Sequence, residues 1–249
     1  MQEAQGRSGS APDRAQPSIP DMFDRIAPTY DLLNHVLSLG LDFLWRRRAV
    51  ARLDRRAPLH VLDLATGTGD LLIALLRGQA NACRAVGLDA SKNMLAVCRR
   101  KLRRRGLDSR VELVQGEASA TPFADCTFDA VTMAFGIRNT SNVTATLDEI
   151  RRVLKPAGQA VILEFSLPSS RTARWVYLRY LRHVVPRLGA LISGDRHAYR
   201  YLNASIEAFH QPKAFSAALR EAGFGQVTAR PLTMGVASLY SGYKPSESA

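Results

Sequence analysis

A glycine-containing turn beside acidic residues is the stretch of this chain best suited to hold a ligand. Residues 60–70 read HVLDLATGTGD, so that Gly67, Thr68 and Gly69 follow a short apolar run. Glycine lets backbone amides approach a ligand closely, and the first N–H groups of a following helix face it. A second apolar segment then ends in Asp89, at the position where such folds bind ribose hydroxyls. This spacing predicts a site for a nucleoside-type cofactor.

The glycine pattern also separates two classes of cofactor. The dinucleotide fingerprint G-x-G-x-x-G would need glycine where this chain has Leu72. Asp63, inside the first apolar run, can orient the amides of the turn or meet a cationic ligand. S-adenosylmethionine (SAM) has no pyrophosphate and carries a sulfonium and an α-amino group, so it fits both features. We expect SAM, and we expect no metal because the three cysteines lack metal-ligand spacing.

The elements that position these residues follow from the apolar periodicity. A helix begins after Asp70. Strands are predicted over residues 61–64, 85–88, 111–114, 128–135, 160–165, 225–231 and 237–243, and further helices over 91–105, 143–154 and 211–222. Strands that alternate with helices indicate a doubly wound parallel sheet, and the last two strands are expected to form an antiparallel pair at its edge.

Three segments lie outside this alternation. Residues 1–20 have the composition of a disordered tail, and residues 21–57 predict two or three short helices that cover the turn. Residues 169–203 form a basic amphipathic insertion, which could lie on an anionic membrane, cover the substrate entrance or be an ordinary solvated helix. Its helical wheel places Val176, Tyr177, Tyr180, Leu181 and Val184 on one face and Arg171, Arg174, Arg179 and Arg182 on another. No linker divides residues 21–249, so we expect a single domain.

Composition narrows the class of protein. Hydrophobic residues make up 46% of the 249 residues, which argues against a disordered chain. The net charge of +12 suits nucleic acid, an anionic membrane surface or an arginine-rich lineage. No apolar run approaches the length of a membrane span, and residues 1–20 contain no stretch like a signal peptide. We therefore expect a cytoplasmic protein.

Four ordered motifs extend over most of the chain. They are YDLLN at 30–34 with its continuation to 45, FGIRN at 135–139, RVLKP at 152–156 with EFS at 164–166, and GDR at 194–196 with YRYL at 199–202. Through these motifs, residues 22–244 resemble the menaquinone/ubiquinone biosynthesis C-methyltransferases. The chain departs from the family pattern at Asp42, usually histidine, and at Ala157, usually glycine.

The resemblance implies a class I SAM-dependent methyltransferase fold, which is an α/β, Rossmann-like fold with a mostly parallel seven-stranded sheet and here an N-terminal helical cover. By position, the family's cofactor contacts fall on Thr68, Asp89, Glu117, Ala118 and Ala134. Asp89 would accept both ribose hydroxyls, and the backbone at 117–118 would read adenine. The amides of the turn would hold the amino-acid end, and Met94 is placed to pack on adenine.

The resemblance further implies methylation of a ring carbon of a polyprenylated quinol. We expect a naphthoquinol rather than a benzoquinol because it requires no second substrate. The membrane-resident tail of such a substrate, with the basic insertion, predicts peripheral contact with an anionic membrane. Arg138 would lower the quinol pKa or orient a water that acts as base, Asn139 would bond the quinol oxygen, and Tyr30 would close over the site. An RNA methyltransferase is disfavoured because residues 134–139 hold neither an Asn/Asp-Pro-Pro-aromatic motif nor a cysteine nucleophile, so we expect no nucleic acid partner. A small-molecule O-methyltransferase and a homodimer both stay open.

Overall fold

The computed structural model describes residues 19–54, 59–78, 84–193 and 196–246. Most of the predicted tail, together with Gly194 and Asp195 of the fourth motif, lies outside these residues. The boundary of the tail is nevertheless two residues too late, because the first helix already begins at Ile19. This helix buries Met22 and Ile26, so Ile19 and Pro20 belong to the helical cover.

The described residues form one seven-stranded sheet in the order β3-β2-β1-β4-β5-β7-β6. The strands are β1 His60–Leu64, β2 Arg84–Asp89, β3 Val111–Gln115, β4 Phe128–Ala134, β5 Leu154–Phe165, β6 Gly225–Leu232 and β7 Ala237–Tyr243. Strands β1 to β5 pair in parallel, and β7 pairs antiparallel to both β5 and β6. The predicted sheet and its antiparallel edge pair are confirmed.

The start of β5 differs from the prediction. The strand begins at Leu154, which pairs with Phe128, rather than at residue 160. An irregularity then interrupts the ladder, and Ala157 adopts a left-handed φ of +61° within it. The preceding helix ends at Val153, because Pro156 cannot continue it, and the chain passes directly into a bulged strand.

Ten helices surround the described sheet. They are α1 Ile19–Ile26, α2 Tyr30–Leu37, α3 Leu41–Val50, α4 Asp70–Gly78, α5 Lys92–Arg103, α6 Val143–Val153, α7 Arg171–Arg179, α8 Val185–Ser193, α9 Arg196–Ala208 and α10 Pro212–Glu221. Local chemistry sets several of their ends. Ser91 caps α5 by accepting the Met94 N–H at 3.1 Å, and Gly40, at φ +75°, separates α2 from α3.

The N-terminal cover (α1–α3) and the insertion (α7–α9) pack on each other above the carboxyl ends of the parallel strands. Leu33, Leu181 and Val185 are buried in their shared core, and the Tyr180 hydroxyl donates to the Leu37 carbonyl at 2.8 Å. The insertion therefore covers the binding edge of the sheet together with α1–α3.

The buried face of the insertion differs from the helical-wheel prediction. Its inner stripe runs through Tyr177, Leu181 and Val185 at intervals of four residues, across a π-helical turn at Tyr180–Val184. Val176 and Val184 each lie one position away from this stripe, so they are exposed rather than buried.

Candidate active site

A cavity of about 320 Å³ lies at the carboxyl ends of β1, β2 and β4. Ligands of open α/β sheets bind at this edge. The cavity brings together most of the residues predicted to hold the cofactor, which are Gly67, Asp89, Met94, Glu117, Ala118 and Ala134.

Asp89 is held in place by backbone amides at the wall of this first cavity. Its Oδ2 accepts the Gly67 N–H at 2.7 Å, and its Oδ1 accepts the Ser91 N–H at 2.8 Å. Burial raises the pKa of Asp89 to about 6, although both amides favour the ionised form. Each carboxylate oxygen keeps a further lone pair, so the group can also accept hydroxyl hydrogens from a ligand.

The two glycines of the turn, Gly67 and Gly69, have different structural roles. Gly67 has a φ of +57° with open space where a Cβ would stand, so a ligand can approach its backbone. Gly69 has a φ of +85°, and a Cβ there would overlap the Cys98 Sγ, so this glycine allows α4 and α5 to pack closely. The Thr68 hydroxyl donates to Asp31. Neither Thr68 nor Gly69 lines the described cavity, so the structure does not place them with the other predicted cofactor residues, and their cofactor contacts stay a prediction.

A second cavity of about 220 Å³ lies between the N-terminal cover and the insertion. Its walls are largely apolar and include Met22, Leu33 and Leu41, while its charged side chains are Arg138 and the ion pair of Arg46 with Asp42. An apolar pocket with a few polar groups is typical of a binding site for an apolar ring compound. We name it the acceptor cavity, and the first one the cofactor cavity.

The two cavities meet at three aromatic side chains, because Phe23, Tyr30 and Phe135 line both of them. Phe135 follows β4 with a φ of +59°, a conformation that a bulky residue rarely adopts outside functional sites. Its N–H donates to the Leu163 carbonyl at 2.7 Å, which fixes the strained residue at the end of the sheet. The sequence motif contained Phe135, but nothing in the sequence indicated its position between two cavities.

Arg138 lies at the wall of the acceptor cavity, where the sequence predicted it. Its Nη1 donates to the Glu164 Oε1 at 2.6 Å and to the Phe135 carbonyl at 2.7 Å. Its guanidinium also stacks over the ring of Phe165, with 5.2 Å from Cζ to the ring centroid. The side chain is therefore fixed on three sides.

The other two predicted catalytic residues, Tyr30 and Asn139, differ in which cavity they line. Tyr30 lines both cavities, and burial raises the pKa of its phenol, so it is a neutral hydroxyl. Asn139 lines the cofactor cavity instead of the acceptor cavity. Its Nδ2 donates to the Phe135 carbonyl at 3.2 Å and its Oδ1 accepts the Tyr201 hydroxyl at 3.2 Å. Its predicted bond to the acceptor oxygen is therefore not favoured by this arrangement.

A lysine beside the turn was missed at the sequence level. Lys101 Nζ donates to Asp31 Oδ2 at 2.6 Å and to Asp70 Oδ1 at 2.5 Å, and it lies 3.2 Å from the Thr68 hydroxyl. These contacts join the start of α2 to the start of α4 through α5. No short-range pattern could have indicated them, because the partners are separated by 31 and more residues.

His35, Asp42 and Asp70 form the one group of described residues whose ligand atoms are spaced closely enough for a metal ion. Both carboxylates already face cations, however. Arg46 contacts Asp42 and lies 4.0 Å from Asp70, while Lys101 contacts Asp70. Burial opposes ionisation of Asp42, but Arg46, Ser38 and His35 outweigh it and lower the pKa of Asp42. This chemistry is that of an ion-pair network.

Known proteins share this fold. The crystal structure of the [4+2]-cyclase SpnF has a TM-score of 0.69, with 18% identity, 92% of this chain covered and 98% of the other. A SAM-dependent methyltransferase from Thermotoga maritima has a TM-score of 0.61 at 18% identity, covering 90% of this chain and 98% of the other. At these identities the likeness establishes the class I, Rossmann-like methyltransferase fold.

Sequence similarity is closer. A demethylmenaquinone methyltransferase of Thermus thermophilus is 48% identical, covering 90% of this chain and all of the relative. A ubiquinone/menaquinone biosynthesis C-methyltransferase UbiE of Syntrophotalea carbinolica is 44% identical, covering 89% of this chain and 92% of the relative. The family profile itself matches residues 12–244. With its two adjoining cavities and this match, the chain belongs to the ubiE/COQ5 methyltransferase family.

Proposed function

We propose that the protein transfers a methyl group from SAM to a ring carbon of a polyprenylated quinol, and that the substrate is demethylmenaquinol. One observation carries the proposal. The cofactor cavity, which contains Asp89, and the apolar acceptor cavity, which contains Arg138, meet at Tyr30 and Phe135. Methyl donor and acceptor bound in these cavities would face each other across that junction. The name of the Thermus thermophilus relative supports the naphthoquinol substrate.

The residues of the cofactor cavity fit SAM. Asp89 would offer carboxylate oxygens to the ribose hydroxyls, and the open backbone at Gly67 would admit the amino-acid end. Buried Met94 and the backbone at Glu117 and Ala118 would form the wall for adenine. When bound, SAM supplies an electrophilic methyl group on its sulfonium. Residues of the acceptor cavity would activate the quinol for attack on this methyl group.

A quinol carbon is a weak nucleophile until the neighbouring hydroxyl loses its proton, because the phenolate then pushes electron density into the ring. Arg138 is positioned to stabilise that phenolate, since it lines the cavity and carries a positive charge. Glu164 holds the Arg138 side chain through Nη1. Phe23, Tyr30 and Phe135 would exclude water from the junction, which keeps donor and acceptor aligned.

Two other acceptors are possible substrates of such a fold. A benzoquinol of the ubiquinone pathway stays the alternative substrate, because some relatives carry both names. RNA fits less well, because the acceptor cavity has apolar walls such as Leu33 and Leu41 where a phosphate backbone would need cations.

We also propose that the protein contacts an anionic membrane peripherally through α7. The helix exposes Arg171, Arg174 and Arg179 beside the apolar side chains of Trp175 and Val176. This combination is typical of helices that lie in a membrane interface. No described helix is both long enough and apolar enough to cross a bilayer.

The deciding experiment incubates the purified protein and labelled SAM with three acceptors: a short-chain demethylmenaquinol, the corresponding benzoquinol and total RNA. We expect label in the naphthoquinol and none in RNA. Label in RNA with none in either quinol would overturn the proposal. Label in the benzoquinol alone would show that the substrate is the benzoquinol and not demethylmenaquinol.

A further inference from the structure

The acceptor cavity has an open extension that no part of the proposed chemistry uses. Its volume of about 220 Å³ accommodates a ring head group, but not also a chain of several isoprene units. Beside it runs a groove of about 520 Å³, with almost wholly apolar walls that include Pro168, Ala173 and Met234. Tyr177, Tyr180 and Val236 line both spaces, so the groove continues the cavity toward the surface.

One wall of the groove is a strained turn between β6 and β7. Thr233, Met234 and Gly235 all have positive φ, at +46°, +56° and +93°. A β-branched residue such as threonine adopts this conformation only where its surroundings impose it. Here the Trp45 indole N–H donates to the Thr233 Oγ1 at 2.9 Å, and the Ser166 hydroxyl donates to the Gly235 carbonyl at 2.8 Å.

The strained turn connects the two spaces. Thr233 lines the acceptor cavity, while the next residue, Met234, lines the groove with 78% of its surface exposed. Methionine is flexible and adapts to apolar ligands of varied shape. The structure thus fixes the backbone of the turn while it presents an adaptable apolar side chain to the groove.

The opposite wall is α7, which exposes Val176 to the groove at 55% of its surface. Val176 and Met234 are thus exposed apolar side chains in one groove, and such groups usually mark an interaction site. Because the groove shares Tyr177, Tyr180 and Val236 with the acceptor cavity, the ligand that covers it is most simply part of the same molecule.

We infer that this groove binds the polyprenyl tail of the quinol and leads it from the acceptor cavity to the surface. The inference rests on the proposed function, and it adds a second, apolar binding site between α7 and the β6–β7 turn. The head group would bind by its ring and oxygens, while the tail would bind by burial of its methyl-branched chain against Val176 and Met234.

The test compares two substrates with the same demethylnaphthoquinol ring, one with a tail of several isoprene units and one without a tail. The variants are Val176→Asp and Met234→Asp, and the matched control is Leu191→Asp, a leucine that is 82% exposed on α8 outside the groove. We expect each groove variant to lower the ratio of kcat/KM for the tailed to the tail-less substrate about tenfold, with the control at the wild-type ratio. An unchanged ratio in both groove variants, or the same fall in the control, would overturn the inference.

A second measurement needs no turnover. A polyprenyl alcohol with a diazirine on its chain is photolysed with the full protein, and the labelled peptides are identified by mass spectrometry. Labelling of α7 and the turn at 233–235 supports the groove, and labelling confined to other peptides overturns it. If the wild-type protein methylates no quinol, the proposed function fails, while this labelling still decides whether the groove binds prenyl chains.

Discussion

Arg138 Nη1 lies 2.6 Å from Glu164 Oε1, in an ion pair whose two side chains are 5% and 0% exposed. Glu164 also accepts the backbone N–H groups of Arg138 and Phe165, so its carboxylate links the end of β5 to the segment that carries Arg138. Removal of one partner of such a pair typically costs about 3–5 kcal/mol because the other charge stays buried. Variants that keep the charge of Arg138 are therefore the informative ones.

We expect Arg138→Lys to lower kcat about tenfold to a hundredfold, because a compact ammonium cannot both bond Glu164 and reach the phenolate as the planar guanidinium does. The affinity for SAM should be nearly unchanged, since Arg138 lines only the acceptor cavity among those described. The loss in kcat should shrink at high pH, where more of the quinol ionises without help. Steady-state kinetics over pH and calorimetry with SAM measure both effects.

The control for this variant is Arg174→Lys, on the exposed side of α7. It should leave both kcat and its pH dependence at the wild-type values. A normal kcat in Arg138→Lys, or a loss that does not vary with pH, would remove Arg138 from the mechanism.

A second prediction concerns the pH dependence of SAM binding. The pKa of Asp89 is raised by burial to about 6, and the ionised carboxylate is the better acceptor of ribose hydroxyls. The Kd for SAM should therefore rise about tenfold as the pH falls from 7 to 5. Asp89→Asn should weaken binding at pH 7 about tenfold and remove the pH dependence. Calorimetry at three pH values measures both effects.

Acid unfolding linked to Asp89 does not explain the expected loss of SAM affinity at low pH. A folded-state pKa above the ordinary aspartate value of 3.8 means that ionised Asp89 costs folding free energy above pH 6, and that this cost is relieved as the pH falls toward 4. Asp63 is the matched control. Burial raises its pKa to about 6 as well, but it accepts two threonine hydroxyls and does not line the described cavity. Asp63→Asn should keep the pH dependence of SAM binding, and its disappearance there would contradict the assignment to Asp89.

The predictable parts of this protein are those with local patterns. The strand, turn and helix around Gly67 follow from a continuous stretch of sequence, and so does the position of Asp89 at the end of β2. The ion pairs of Lys101 and the junction at Phe135 depend on tertiary contacts between distant segments. Apolar periodicity could show that α7 has an inner face, but it could not show that the face begins one residue later, at Tyr177.

A third prediction uses the bulge in β5. Ala157 has a φ of +61°, which costs an L-residue about 1–2 kcal/mol, whereas glycine adopts it freely. Ala157→Gly should raise the free energy of unfolding by about 0.5 kcal/mol, because the relief of strain exceeds the entropy that glycine adds to the unfolded chain. Gly158→Ala is the contrasting variant. Its Cβ would lie 2.8 Å from the Lys155 carbonyl oxygen, so it should destabilise by about 1–3 kcal/mol. Thermal unfolding of both variants measures these changes, and a lower stability of Ala157→Gly would contradict the strain at this position.

The last prediction concerns membrane contact. The insertion follows β5 at the carboxyl edge of the sheet, and each basic residue near an anionic leaflet contributes about 1 kcal/mol. Replacement of Arg171, Arg174 and Arg179 by glutamine should therefore weaken binding to anionic vesicles by about 3 kcal/mol, or roughly a hundredfold. Arg182 is left unchanged because it pairs with Glu207. Vesicle co-sedimentation measures the binding, and added salt should weaken it in the wild-type protein.

The matched control removes the same charge from the opposite edge of the molecule. Arg103 is the last residue of α5, and Arg104 and Arg105 follow it. Because α5 runs from the carboxyl end of β2 toward the amino end of β3, these arginines lie away from the insertion. Their replacement by glutamine should leave vesicle binding close to the wild-type value, because screening limits the reach of each charge to about 10 Å. In the α7 variant, methylation of a vesicle-embedded quinol should fall while methylation of a short-tailed quinol in solution is kept. Equal weakening by both triple variants would mean that net charge alone attracts the protein to the membrane, and equal loss of activity on both quinols would mean that the arginines of α7 support the acceptor cavity instead.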